Sequence, residues 1–332
     1  MPLTLFVPDL LPPADAPQAM RALRLPALEK WLARADSRRE AGTGVAWLLG
    51  QWDLGADAPL AALTLAADGG PHEGNWLRAD PVHQRVDRNA LVLHDCAVLA
   101  LSAAESGAAI DALNAFFRAD GLEFIAPSIE RWYVRVPEGE VPRTVPLDAA
   151  VGRNPYGMLP AGGTRLKWRS IFSEAQMLLA GLPFNAAREA QGLPTLNAVW
   201  FWGEGAWPAS LPRPFASIAA HDAIARSLAL ASGCALQTLP PGLAGLAARE
   251  SGECLAVIDT LRAPLRRGDA DEWLAAAQAL EHSWFAGLGH ALGAFGHIRI
   301  VLPAERDTAV FELDPGARWR FFRRPRALAS HA

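Results

Sequence analysis

Residues 254–302 read CLAVIDTLRAPLRRGDADEWLAAAQALEHSWFAGLGHALGAFGHIRIVL. This stretch decides the fold class. Cys254–Ile258 is continuously apolar and closes on Asp259, as expected of a strand buried on both faces with an acidic residue at its carboxyl end. Asp269–Leu292 keeps helical spacing and reads as one long helix. His297–Leu302 is again an apolar, β-branched run.

The same alternation extends outward in both directions. Leu3–Val7 reads as a buried strand that presents Asp9, and residues 17–35 carry Leu23, Leu28, Trp31 and Leu32 on one helical side. A Gly42-Thr43-Gly44 turn leads into the apolar segment Val45–Leu49, and Ala58–Ala66 reads as a helix ended by Asp68-Gly69-Gly70-Pro71. Helices are expected over Leu166–Ala180, 183–192 and 217–231. Strands are expected over Leu196–Trp202, Cys234–Leu239, Thr308–Leu313 and, at the end, Trp319–Phe322. Strands alternating with helices give an α/β fold with a largely parallel sheet. Ligands of such folds sit outside the carboxyl ends of the strands, which points to Asp9, Gly203–Gly205, Asp259 and Glu305.

Between residues 75 and 160 the pattern changes. Asn75–Arg88 mixes both charge signs with Trp, Pro and His, and holds neither periodicity throughout. Ala90–His94 is strand-like. Ser102 with Glu105 forms a capping box for a helix running to Phe117, and Leu122–Ile125 and Arg131–Val136 are strands. Residues 90–140 thus form a small α+β unit, followed by the Pro- and Gly-rich stretch Val141–Gly163.

The 332 residues allow two domains, and 51% hydrophobic with 20% charged residues excludes disordered and low-complexity classes. A formal net charge of −4 offers no strong field for nucleic acid or an anionic membrane, so neither is an expected partner. The N-terminal residues have no basic region, no apolar run reaches 18 residues, and Cys96, Cys234 and Cys254 are scattered. A cytoplasmic chain without a signal peptide is expected. All but Lys30 and Lys167 of the 31 basic residues are arginines, and there are 12 Trp but 2 Tyr. Arginine suits bidentate pairing with carboxylate or phosphate.

No HExxH, GxSxG or P-loop is present, and Gly42-x-Gly44 and the glycines at 287, 289 and 293 read as close packing. His290 and His297 form no convincing ligand pair. Three groups remain as candidates. Arg78, Asp80, His83, Arg85 and Arg88 cluster between two strand-like runs and suit an anion pocket, or a salt-bridge network around Trp76. Asn197, Trp200, Trp202 and Glu204 lead into a glycine-flanked loop. Arg318, Arg320, Arg323, Arg324 and Arg326 interleave with Trp319, Phe321 and Phe322, and read as a solvated strand face and tail.

Leu182–Pro212, LPFNAAREAQGLPTLNAVWFWGEGAWPASLP, resembles the Pro-x-Asn…Arg…Gly…Asn…Gly-x-Gly stretch of archaeal-type cofactor-independent phosphoglycerate mutases, members of the alkaline phosphatase superfamily. The chain also resembles a proteobacterial set named regulatory protein RpfE, through Trp76–His83, Glu174–Leu179 and Asn197–Gly203. The resemblance implies an alkaline phosphatase-like core over 1–89 and 161–332, its sheet mostly parallel with helices on both faces. It also implies an inserted α+β cap over 90–160.

It further implies a Thr nucleophile, here Thr43, and two divalent metals such as Mn or Zn. Asp9, Asp259 and Glu305 are the residual ligand candidates. Where the mutases keep metal-binding histidines, this chain has Arg266 and Arg306. Arginine stays protonated and has no lone pair for a metal, so no metal is expected, and both arginines become anion-binding candidates. The implied function is that of a degenerate mutase-like protein in a regulatory role. It would bind an anionic small molecule or a protein partner. The alternative is an active metal-dependent phosphomutase or phosphohydrolase.

Overall fold

A computed structural model describes residues 2–13, 16–87, 90–163, 166–246 and 252–331. The chain divides into two compact units: the first runs to Ala56 and resumes at Ser210, and the second is Asp57–Ala209. The second unit is wider than the expected 90–160 segment, because strands on either side of that segment belong to its sheet.

In chain order the first unit begins with β1 (Pro2–Phe6), α1 (Gln18–Arg21), α2 (Pro26–Arg34), β2 (Asp36–Glu40) and α3 (Gly44–Gly50). The second contains α4 (Leu60–Ala67), β3 (Asn75–Asp87), β4 (Ala90–His94), α5 (Ala103–Phe117), β5 (Glu123–Ser128), β6 (Arg131–Val136), α6 (Leu147–Ala150), α7 (Trp168–Ala180), α8 (Pro183–Ala190) and β7 (Ala198–Gly205). The chain then returns through β8 (Ser217–Ala220), α9 (Ala223–Ser232), β9 (Ala235–Gln237), β10 (Cys254–Val257), α10 (Arg262–Arg267), α11 (Ala270–Leu280), α12 (Leu288–Phe295), β11 (His297–Pro303) and β12 (Thr308–Leu313).

The first unit is built on a seven-stranded sheet of order β2-β12-β11-β1-β10-β8-β9. β11, β1, β10, β8 and β9 are mutually parallel, and β12 is antiparallel to both β11 and β2. This is the mixed α/β architecture with a mostly parallel sheet that the apolar runs predict. Leu3, Leu5, Leu255 and Val257 are sealed off from water, as central parallel strands require.

Two strands of this sheet carry no apolar signal. β8 is Ser-Ile-Ala-Ala and sits inside the segment 217–231 that reads as helical; its small residues pack under neighbours on both faces, and the helix proper starts only after Asp222. β2 is an edge strand of charged residues, held by ion pairs of Arg38 with Glu312 and Arg39 with Asp307, and charge is how natural edges resist further pairing. Trp319–Phe322 is not a strand: the chain there follows a 3₁₀ turn, Pro315–Trp319.

The long helix expected over Asp269–Leu292 is interrupted. A π turn at Glu281–Phe285 separates α11 from α12. It turns the buried Glu281 carboxylate to accept the backbone N–H groups of Ala27 and Leu28. α2 has no side-chain cap of its own, because Leu25 precedes it, so Glu281 supplies the anion that its N-terminus lacks.

In the second unit β3 is the spine of an antiparallel sheet, pairing with β4, β6 and β7. The segment that shows no periodicity is therefore a 13-residue strand. Alternation is lost because Trp76 through Val82 are all buried, polar and apolar alike. β7, expected in the parallel sheet, is antiparallel to β3 here, so Gly203–Gly205 does not end a parallel strand. α5 starts on the expected capping box, with the Ser102 and Glu105 side chains each bound to the other's backbone N–H.

Candidate functional site

The site is assembled at the carboxyl edge of the parallel sheet. β1, β8 and β10 are parallel neighbours or next-neighbours, so their ends lie at one edge. Each is followed within a few residues by an aspartate: Asp9, Asp222 and Asp259. Among the described residues Asp9 is one of three non-glycine residues with positive φ, at 64°, a conformation aspartate tolerates better than most residues. Asp222 is the N-cap of α9 and accepts the Ala225 N–H at 2.8 Å.

Arg262, the first residue of α10, joins them. Its Nη1 lies 2.8 Å from Asp222 Oδ2, and its Nε lies 3.5 Å from Asp9 Oδ2. Burial and the neighbouring Asp222 carboxylate push Asp259 above the usual carboxylate range, while Arg262 and His221 pull it back. The Arg262 guanidinium is therefore shared by Asp9 and Asp222 and also acts on Asp259. Asp9 and Asp259 are sequence candidates. Asp222, His221 and Arg262 were not singled out, because β8 was hidden in a helical reading. The available signal is His221-Asp222 directly after Ile218-Ala219-Ala220.

Topology brings the other candidates of this unit to the same edge. Thr43 precedes α3, between Gly42 and Gly44, both with positive φ; it is half-buried and makes no capping hydrogen bond. The Thr308 hydroxyl donates to the Gly42 carbonyl, which ties this loop to the start of β12. Glu305 and Arg306 lie in the β11–β12 connection. They line a cleft of about 570 Å³ with Arg21, Arg39, Asp307 and Leu11–Pro13. Arg266 lies one helical turn beyond Arg262 on α10.

The candidates of the second unit are differently employed. Arg78 pairs with Asp80 at 2.7 Å and stacks between the rings of Tyr133 and Trp202, each 5.2 Å away. The Trp202 indole N–H donates to the other Asp80 oxygen at 2.7 Å. His83 Nδ1 meets the Thr195 carbonyl at 2.8 Å, and burial lowers its pKa. Asn197 bonds the N–H and C=O of Gln84, locking β7 to β3. Glu204 accepts the Thr144 N–H at 3.0 Å and the Thr144 hydroxyl. Arg85 is exposed at the strand end, and Arg88 lies outside the described residues. In the structure Arg78 and Asp80 are buried and pair with each other, while Asn197 and Glu204 bond Gln84 and Thr144.

The mutase resemblance implies two divalent metals at this edge. A guanidinium stands between Asp9 and Asp222, where it can only donate, and among the described residues no three His, Cys, Asp or Glu side chains are spaced to hold a metal ion. No helix among them is long and apolar enough to cross a membrane.

Comparison with solved structures gives a fold-level likeness to the PH0037 protein from Pyrococcus horikoshii, with 12% sequence identity, 98% of this chain and 91% of that chain covered, and a TM-score of 0.54. The chain is also similar to a cofactor-independent phosphoglycerate mutase from Thermoplasma acidophilum DSM 1728, with 13% identity, 100% and 95% coverage and a TM-score of 0.46. No protein-family model and no curated protein sequence matches it.

Proposed function

We propose that the chain is a phosphomutase-like protein that acts by binding an anionic small molecule, in a regulatory role, without metal-dependent turnover. The observation that carries this reading is Arg262 bridging Asp9 and Asp222. A phosphomutase of the resembling type needs cations at this edge to activate its nucleophile and hold the phosphoryl group. A fixed guanidinium supplies the charge but has no open coordination position, so the Thr43 hydroxyl has no Lewis acid to lower its pKa. Thr43 is then a loop residue and not a nucleophile. The ligand of this reading enters the cleft of Arg21, Arg39 and Arg306, where guanidinium forks suit phosphate and carboxylate.

The test is elemental analysis of the purified chain after incubation with Mn²⁺, combined with mutase and phosphatase assays on 3-phosphoglycerate and p-nitrophenyl phosphate. Sub-stoichiometric metal and no turnover are expected. 3-Phosphoglycerate is expected to raise Tm, because a ligand that binds only the native state stabilises it; at 100 times its Kd that stabilisation is about 2.7 kcal/mol. That shift should vanish in Arg306→Ala. Stoichiometric metal with turnover abolished by Thr43→Ala would overturn the reading in favour of an active enzyme.

A further inference from the structure

Residues 317–328 contain the most exposed aromatic group of the first unit. Trp319, Phe321 and Phe322 are 75%, 73% and 72% exposed, within four consecutive residues. A frayed tail would explain such exposure, but this segment is pinned. Ala317 and Leu328 are buried on either side of it. Arg320 bridges Asp36 and Asp314 at 3.0 and 2.8 Å, and Arg323 donates to the Ala35 carbonyl at 2.7 Å and pairs with Asp36. The fold therefore holds three aromatic rings in water, and clustered exposed apolar side chains mark interaction surfaces.

The charges around the rings indicate what covers them. Arg320 and Arg323 are neutralised by Asp36 and Asp314, whereas Arg318, Arg324 and Arg326 have no carboxylate partner among the described residues. Three arginines without a carboxylate partner among the described residues thus flank the aromatic residues in sequence, in a chain whose net charge is −4. A second copy is disfavoured as the occupant, because a two-fold contact through this patch would bring these same cations together. Aromatic rings beside arginines instead match an anionic lipid surface, where rings enter the headgroup boundary and guanidinium groups meet phosphates.

We propose that the segment Arg318–Arg326 docks the protein on anionic lipid membranes. Docking is peripheral, since no helix among the described residues is suited to span the bilayer. The experiment is co-sedimentation of the full chain with vesicles of phosphatidylcholine containing 30% phosphatidylglycerol, against phosphatidylcholine alone, at about 0.1 M salt. Binding to the anionic vesicles alone is expected. The triple variant Trp319→Ser/Phe321→Ser/Phe322→Ser and the double variant Arg324→Glu/Arg326→Glu should each weaken it at least about tenfold, with an unchanged Tm because these side chains are exposed.

Absent binding to anionic vesicles, or binding that both variants retain, overturns the proposal. So does a single-stranded oligonucleotide that binds while vesicles do not, or a dimer that the triple variant dissociates while vesicles do not bind.

Discussion

In the second unit Arg78 meets Asp80 at 2.7 Å with side-chain exposures of 7% and 2%, whereas in the first unit Arg262 meets Asp222 at 2.8 Å with 22% of the arginine still open to water. The chemistry of the two pairs is the same and their surroundings are not. Arg78 and Asp80 are two apart on one strand, so they share a face and reach each other directly. Two aromatic rings cover the guanidinium and an indole N–H takes the second carboxylate oxygen, which leaves the pair electrically closed. Arg262 instead faces Asp9, Asp222 and Asp259, drawn from three strand ends. That group is partly open to water, and its backbone includes a positive-φ aspartate. Closed pairs hold folds together, while open groups at a sheet edge are where binding chemistry is found.

The largest effect expected from this contrast belongs to the closed pair. Asp80→Ala leaves a buried guanidinium without its counter-charge and should cost about 3–5 kcal/mol in urea or thermal unfolding. Arg78→Met/Asp80→Leu removes both charges and should recover most of that loss, because the two residues act as one unit. If Asp80→Ala costs under about 1 kcal/mol, the second-unit pair is not the structural element described here. Arg262→Ala should cost less, about 1–2 kcal/mol, since its guanidinium is partly hydrated and only the repulsion among three aspartates is released. Thermal unfolding of Arg262→Ala beside the parent chain measures this, and a cost equal to that of Asp80→Ala would erase the contrast between the two pairs.

The contrast also explains what could be read from the sequence. Apolar runs ending in acid were legible at β1 and β10, because a strand covered on both faces has no choice but to be apolar. They placed Asp9 and Asp259 correctly at the sheet edge. β8 is not legible, since its one strand-favouring residue, Ile218, stands beside two helix-favouring alanines, and with it Asp222 stays unread. Arg262 also lacked any local signal: its role depends on the three-dimensional convergence of β1 and β8, which are separated by more than 200 residues. β3 failed for the opposite reason. Its charges are buried as a satisfied pair, so a polar stretch that reads as surface or site is core.

Asp259 provides the smallest and most specific test of the open group. Burial and the Asp222 carboxylate raise its folded-state pKa above the unfolded value of about 3.8. Folding therefore favours the protonated acid. The stability this group contributes is fully present below about pH 3.8 and is lost as pH rises through the folded pKa, so at neutral pH its charge works against the fold. Asp259→Asn keeps the shape and removes the charge. Its Tm at pH 7 should exceed that of the parent by about 2–4 °C, the shift that ~1 kcal/mol produces in a unit of this size. The difference should shrink to nothing near pH 3, where both chains are neutral at this position. A gain that persists unchanged at pH 3 would have to come from packing. A loss at pH 7 would mean that Arg262 already neutralises Asp259 in full, and the first unit's group would then be as closed as the Arg78–Asp80 pair.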